Sequence, residues 1–101
     1  MVNRPEDCAS MDEVRVEIDR LDAALIELVA ERFQYVDRAW QIKQGGPEGA
    51  LVPWRVQQVI DKVKAEAKRK GLPPELAEAM WRQMIGWFIQ YESEKLDQPG
   101  A

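Results

Sequence analysis

The stretch that decides the fold is MDEVRVEIDRLDAALIELVAERFQYVDRAWQIK, residues 11–43 of a 101-residue chain. Its apolar side chains recur at alternating spacings of three and four residues, the pattern of a helix that packs along another helix. These apolar positions are Met11, Val14, Ile18, Leu21, Leu25, Leu28, Tyr35, Ala39 and Ile42. Proline and glycine are absent from the stretch. It therefore predicts one long amphipathic helix with an apolar seam.

The sequence on either side of this helix predicts an all-α fold of three helices. Ser10 and Glu13 have the spacing of a capping box, so we expect Ser10 to be the N-cap of helix 1. Gly71 is expected to follow the end of helix 2 as its C′ residue. Long β-branched alternation, which would indicate strands, is missing. In a single domain over residues 1–101, the predicted ranges are about 11–43 for helix 1, 44–52 for a Gly- and Pro-rich loop, 53–70 for helix 2 and 73–96 for helix 3.

Composition excludes several classes of function. The net charge of −4 argues against a nucleic-acid partner. Without histidine, and with Cys8 as the single cysteine, we expect no transition-metal site and no intrachain disulfide. No apolar run approaches the roughly 20 residues that span a bilayer, and the first residues lack the apolar core of a signal peptide. We therefore expect a cytoplasmic protein that does not bind membranes.

The length of helix 1 predicts a dimer. A helix over residues 11–43 extends about 50 Å, whereas a globule of this size is only roughly 30–35 Å across. Part of the apolar seam would stay uncovered in a single chain, and a second copy packed along the helix would cover it. We therefore predict an intertwined homodimer. The alternative is a long helix that folds against its own chain with frayed ends.

Arg32 occupies a position within the apolar seam. The positions three and four residues away on either side are apolar or aromatic, so no acid sits at the spacing of a helical ion pair. Lys43 follows 11 residues later, close to three whole turns, which places it on nearly the same face about 16 Å away. The two side chains are suited to gripping a small anion, with Val36 lining the wall of the gap.

Arg15 and Arg55 extend this candidate anion site. Arg15 lies about 25 Å back from Arg32 along the same helix, too far to reach one small ligand within a chain. In an antiparallel dimer with its two-fold axis near residue 26, however, Arg15 of one chain falls between Arg32 and Lys43 of the other. Arg55, at the start of helix 2, would close the site from a third side.

Three of these cations also have simpler explanations. Arg15 has an acid at i+4, Asp19, and an ion pair between them would account for it. Lys43 could be a cation favoured by the dipole at the end of helix 1. Arg55 could be a solvated residue at the start of a helix.

Glu92 is the corresponding anomaly in helix 3. Trp81, Ile85 and Phe88 form an apolar stripe at spacings of four and three, and Glu92 is its next member. A partly desolvated carboxyl favours its protonated form, which can donate a hydrogen bond to a substrate oxygen. The alternative is a solvated helix end at which Glu92 pairs with Lys95.

These residues resemble the all-helical, AroQ-type chorismate mutases, and the resemblance runs from Pro5 to about Lys95. Its motif is Arg15-x-x-Ile18-Asp19-x-Leu21-Asp22, followed by Leu28, Arg32, Lys43 and Arg55. The chain is most similar to the bacterial isochorismate-pyruvate lyase branch of that family. The residues that carry this second similarity are Pro5-Glu6-Asp7-Cys8, Arg55-Val56, Gly71-Leu72 and Trp87.

The resemblance implies an intertwined dimer with two shared sites, no cofactor, and chorismate or isochorismate as the dicarboxylate substrate. Arg32 and the partner's Arg15 would bind the two carboxylates, and Arg55 would assist there or in the loop. Lys43 would donate to the ether oxygen of the breaking C–O bond. Glu92 stands where most bacterial members carry a glutamine, the second donor to that oxygen, and some fungal mutases are similar in having glutamate. The candidate catalytic residues are Lys43, Glu92 and Arg32, and loop 44–52 would act as a lid.

Two departures from the mutase pattern favour the lyase branch. Val56 replaces the glutamate that contacts the ring hydroxyl, and Val52 replaces an aspartate three residues before Arg55. Our first hypothesis is the rearrangement of chorismate to prephenate. The second is the elimination of pyruvate from isochorismate, which leaves salicylate. The third, of another class, is a non-catalytic helical dimer that binds an anionic metabolite.

Overall fold

The computed structural model describes residues 2–97 and contains no strand in that range. It has a short 3-10 helix, Pro5–Asp7, and three α-helices: α1 (Met11–Lys43), α2 (Pro53–Arg69) and α3 (Pro74–Leu96). The all-α prediction is confirmed, and each helix begins and ends within one residue of its predicted bounds. The chain divides into two compact units between Tyr35 and Val36.

The first unit contains the 3-10 helix and α1 as far as Tyr35. Side chains replace the missing hydrogen bonds at the start of α1. The Glu13 backbone N–H donates to Ser10 Oγ at 3.2 Å, and Ala9 N–H donates to Glu13 Oε2 at 2.8 Å. Ser10 is thus the N-cap that the capping-box spacing predicts. Asn3 N–H donates to Glu17 Oε2 at 3.2 Å, which ties the lead-in to the second turn of α1.

The apolar seam of the first unit is largely exposed. No residue of α1 is buried. Leu21, Leu25 and Leu28 keep 50%, 52% and 62% of their surface exposed, and their neighbour Ile26 keeps 69%. Isolated exposed leucines are ordinary, but a continuous exposed row along one helix marks an interaction surface.

The second unit contains a conventional apolar core between α2 and α3. Ile60 and Ala67 of α2, with Ala77 and Phe88 of α3, are buried. The two alanines lie near the connecting turn, where small side chains allow two helix backbones to approach. Outside the core, Lys64 and Glu78 join α2 to α3 in an ion pair of 3.0 Å. These contacts fix α3, which carries Glu92.

Gly71 ends α2 as the sequence predicts. Its φ is +78°, a conformation that residues with a Cβ rarely adopt. Gly71 N–H donates to the Lys68 carbonyl at 3.3 Å, and Leu72 N–H donates to the Ala67 carbonyl at 2.9 Å. This is the paired hydrogen-bond pattern of a Schellman motif, and it reverses the chain into α3.

The loop between α1 and α2 begins with a tight turn. Gly46 N–H donates to the Lys43 carbonyl at 2.9 Å, with Gly45 between them at a φ of +74°. Val52 is the N-cap of α2, and Pro53 occupies the first turn, where its missing N–H costs nothing. None of the helices within residues 2–97 is long and apolar enough to cross a membrane.

Candidate active site

The centre of the candidate site is an ion pair between the end of α1 and the end of α3. Lys43 Nζ donates to Glu92 Oε2 at 3.0 Å. Both side chains are mostly shielded from solvent, at 17% and 10% exposed. Charges this shielded are stable only when they are paired, so each side chain holds the other in place. Lys43 is therefore more than a solvated cation at the helix end.

Glu92 lies where the apolar stripe of α3 predicts it. Phe88 and Glu92 are both buried, and Trp81 and Ile85 are half-buried. The alternative of a solvated helix end paired with Lys95 is wrong, because Glu92 pairs with Lys43 and the Lys95 ammonium lies 5.5 Å from the centre of the Tyr91 ring. The tertiary partner takes precedence over the local one because α3 turns Glu92 toward α1.

This pair is chemically suited to an oxygen-rich ligand. An ammonium has three N–H donors, so Lys43 can keep its contact with Glu92 and still donate to a ligand oxygen. In the structure Glu92 Oε2 is a hydrogen-bond acceptor. Glu92 can become a donor only after it takes up a proton. The pair thus offers one permanent donor and one that depends on protonation.

Arg15 and Arg32 both belong to the first unit. Arg32 is half-buried on α1. Arg15 is exposed and lies 3.8 Å from Asp12 in an ion pair, rather than with Asp19 as the simpler explanation supposed. Asp12 stands on the N-terminal side of Arg15, where an acid in the first turn also favours the helix dipole. With its side chain 66% exposed, Arg15 stays at the surface of α1.

Arg55 and Val36 belong to the second unit. Arg55, in the first turn of α2, is exposed and donates to Gln58 Oε1 at 2.6 Å, as expected for a solvated residue at a helix start. Val36 is half-buried on α1. Within residues 2–97, no group of three or more His, Cys, Asp or Glu side chains is placed to hold a metal ion.

A second polar contact between α1 and α3 was missed by the sequence analysis. The Tyr91 hydroxyl donates to Asp37 Oδ1 at 2.6 Å, and Trp40 Nε1 donates to the same oxygen at 2.9 Å. The hydrogen bond from Tyr91, followed by that from Trp40, lowers the pKa of Asp37. The same bond to Asp37 raises the pKa of Tyr91. The available signal was Asp37 and Trp40 at i and i+3 on α1, with Tyr91 directly before Glu92.

The fold and this ion pair define an all-helical protein that presents a shielded ammonium beside a carboxyl group. The family model for chorismate mutase type II matches residues 14–93, so the chain belongs to the chorismate mutase type II family. The resemblance inferred from Arg15, Arg32, Lys43 and Arg55 is thereby confirmed. Membership implies a chorismate-like small molecule as the substrate.

Two relatives illustrate the range of this similarity. The chain is 31% identical over 86 residues to the isochorismate pyruvate lyase of Pseudomonas aeruginosa, covering 84% of this chain and 83% of that protein. It is 29% identical over 87 residues to the T-protein of Enterobacter agglomerans. That match covers 86% of this chain but only 23% of the T-protein, so it concerns a minor part of a longer protein.

Proposed function

We propose that the chain is a chorismate mutase that rearranges chorismate to prephenate, and the Lys43–Glu92 pair is the observation that carries this proposal. In the rearrangement the ether C–O bond breaks as a C–C bond forms, and negative charge develops on the ether oxygen. A positively charged N–H group that is already in place beside that oxygen stabilises the transition state more than it stabilises the bound substrate. The reaction needs no base, nucleophile or cofactor, only a site that holds the substrate folded and places charge correctly.

Each candidate residue has a role in this proposal. Lys43 donates to the ether oxygen, and Glu92 is the second donor to it. Because Glu92 accepts a hydrogen bond from Lys43, it must take up a proton before it can donate. Arg32 and the partner's Arg15 bind the two carboxylates of the substrate.

Val36, Arg55 and loop 44–52 complete the proposed site. Val36 supplies an apolar wall, which suits its half-buried position on α1. Arg55 assists carboxylate or loop contacts, for which its hydrogen bond to Gln58 must be exchanged. The loop acts as a lid over the bound substrate.

We further propose that the protein is an intertwined homodimer with two sites, each built from both chains. The support is the exposed row of Leu21, Leu25 and Leu28 on α1. Covering apolar surface is favourable by about 25 cal/mol per Å². Antiparallel packing of two α1 helices about residue 26 pairs position 15 with position 37. This brings Arg15 of one chain level with the helix turns between Arg32 and Lys43 of the other.

The second candidate activity is an isochorismate-pyruvate lyase that gives salicylate and pyruvate. Two observations favour it: Val56 and Val52 replace polar residues of typical mutases, and a relative of nearly the same extent is named for this reaction. Assay of the purified protein with chorismate and, separately, isochorismate decides between the two. We expect prephenate from chorismate. Salicylate from isochorismate, with prephenate at background, would reverse the assignment.

Lys43→Ala distinguishes an enzyme from a non-catalytic binder of anionic metabolites. Loss of a donor to developing charge is expected to lower kcat by about 10² to 10³-fold, with little change in the affinity for a bound dicarboxylate. Lys64→Ala is the matched control, because Lys64 also forms an ion pair of 3.0 Å between two helices, but on the α2–α3 face. Its kcat should stay within about twofold of wild type. A wild-type protein that converts neither substrate would favour the binder.

A further inference from the structure

The Asp37–Tyr91 contact has no part in the function proposed above, yet it lies beside the Lys43–Glu92 pair. Tyr91 and Glu92 are consecutive residues of α3, and each bonds to a different point of α1. Asp37 and Lys43 are six residues apart, about 9 Å along the helix. The last two turns of α1 are thus joined to α3 by two side-chain bonds.

Two bonds restrain a helix end more strictly than one. A single contact lets the last two turns of α1 pivot about it, whereas two contacts separated along the helix axis restrain both the rotation and the position of those turns. Lys43 lies on the same helix, fewer than two turns after Asp37. The location of its ammonium therefore depends on the location of the α1 backbone around Asp37.

The Asp37–Tyr91 contact is itself well braced. Trp40 donates to the same oxygen of Asp37 as Tyr91 does, so the carboxylate is held from two sides. The Tyr91 ring stacks on Trp87 with ring centres 5.6 Å apart and planes 10° apart, and Lys95 lies against the ring. The lowered pKa of Asp37 and the raised pKa of Tyr91 agree with a bond between an ionised carboxylate and a neutral phenol.

We propose that Asp37 and Tyr91 are positioning residues that set where the Lys43 ammonium and the Glu92 carboxyl lie relative to the substrate. This inference rests on the proposed function. During the reaction Lys43 and Glu92 both act on the substrate oxygen. The Asp37–Tyr91 bond involves no substrate group and keeps the end of α1 in place throughout. Since a misplacement of about 1 Å at a reacting group can cost roughly 10²-fold in rate, such a restraint acts on kcat.

Tyr91→Phe is the sharpest test, because it removes one oxygen atom and retains the ring that stacks on Trp87. We expect kcat to fall about tenfold at a temperature well below the melting point, with KM within about threefold of wild type. Lys64→Met is the matched control, since it also removes one side-chain contact between helices, the Lys64–Glu78 ion pair. Glu78 lies about four turns before Glu92 on α3. Lys64→Met should lower the melting temperature and leave kcat unchanged.

Asp37 variants separate positioning from general stability. Asp37→Asn keeps an oxygen that accepts from Tyr91 and should retain most of kcat, whereas Asp37→Leu should lose at least as much as Tyr91→Phe, since it also removes the bond from Trp40. Combining the two changes should lower kcat no further than Asp37→Leu alone, because both break the Asp37–Tyr91 bond. Full additivity, or an unchanged kcat in Tyr91→Phe while the wild type is active, would overturn the inference and leave the proposed function standing.

Hydrogen exchange supplies a readout that does not depend on turnover. Backbone amides of residues 36–43 should exchange faster in Tyr91→Phe than in wild type, and at the wild-type rate in Lys64→Met. If the wild type converts neither chorismate nor isochorismate, the proposed function is wrong. The claim that Asp37 and Tyr91 position Lys43 and Glu92 for that reaction is then wrong as well. Unchanged exchange in Tyr91→Phe would overturn the restraint itself.

Discussion

Leu25 in the first unit keeps 52% of its surface exposed, whereas Ile60 in the second unit keeps 1%. The charges differ in the same way. Arg15 and Asp12 form an ion pair of 3.8 Å with side chains 66% and 97% exposed, but Lys43 and Glu92 form theirs with most of both side chains shielded. The second unit thus shields an apolar core and the Lys43–Glu92 pair within the chain. In the first unit, by contrast, the leucines of α1 and Arg15 are exposed.

This difference indicates which part of the function one chain can supply. The second unit holds the Lys43–Glu92 pair by contacts of its own. The first unit has the composition of a buried helix, with leucine at positions 21, 25 and 28, but lacks a cover within its own unit. Under our proposal, a second chain supplies the cover and also the arginine that completes each site.

The largest expected effect comes from placing a charge in the exposed row. Leu25→Glu would be nearly neutral for an isolated helix surface, within about 0.5 kcal/mol. In the proposed dimer it buries an unpaired carboxylate, so sedimentation at micromolar concentration should show a dimeric wild type and a variant that dissociates or unfolds. Ile60→Ala should instead keep the dimer and lower the free energy of unfolding by about 2–5 kcal/mol. A monomeric wild type, or a Leu25→Glu protein with wild-type association, would contradict the dimer.

A smaller effect is expected from replacing one acid of each ion pair. An ionised Glu92 has no hydrogen to donate, whereas Glu92→Gln always has an N–H donor and should therefore raise kcat. Glu92→Ala removes the group and should lower kcat. Asp12→Asn makes the same chemical change as Glu92→Gln in the exposed pair and should leave kcat as in wild type. If kcat stays at the wild-type value in both Glu92 variants, Glu92 has no part in the mechanism.

The smallest effects concern the way in which the stability of the protein changes with pH. The pKa of Asp37 is lowered by the hydrogen bonds from Tyr91 and Trp40. Its contribution to stability is therefore fully present above the ordinary carboxyl pKa of about 4 and is lost as the pH falls through the lowered value. The pKa of Tyr91 is raised by Asp37, so its contribution is present below about pH 10 and is lost as the pH rises through the raised value.

Thermal melts at several pH values check both predicted losses of stability, that of Asp37 at acidic pH and that of Tyr91 at alkaline pH. Asp37→Asn should reduce the loss of melting temperature at acidic pH, and Tyr91→Phe should reduce it at alkaline pH. Glu17 of the first unit is the comparison, because hydrogen bonds from Arg20 and the Asn3 backbone lower its pKa. Glu17→Gln should therefore change the melting temperature at acidic pH alone. If Tyr91→Phe loses as much melting temperature at alkaline pH as the wild type does, Tyr91 does not make the contribution described above.

The sequence predicts those features that depend on neighbours in the chain. The capping box of Ser10 and Glu13 and the turn at Gly71 involve residues a few positions apart, and the structure confirms both. Burial of Glu92 also follows from the local stripe of α3. Its partner does not, because Lys43 lies 49 positions away and only tertiary packing brings the two together.

The Asp37–Tyr91 bond was missed for the same reason, since the two residues are 54 positions apart. Asp37 lies between two seam positions, Tyr35 and Ala39, and does not occupy one. Tyr91 has the spacing of an ordinary apolar residue of α3. Nothing in either local pattern indicates a hydrogen bond. The family resemblance does not supply it either, because its motif includes neither residue.

The central claim is that each site combines Lys43 of one chain with Arg15 of the other, and mixing two inactive variants tests it most directly. Arg15→Ala and Lys43→Ala proteins, each inactive alone, are unfolded together, refolded at equal concentrations and assayed with chorismate and isochorismate. Half of the refolded dimers should contain both variants, and one of their two sites would have every wild-type residue. The account predicts recovery of about one quarter of wild-type turnover. A mixture no more active than its separate components would contradict it.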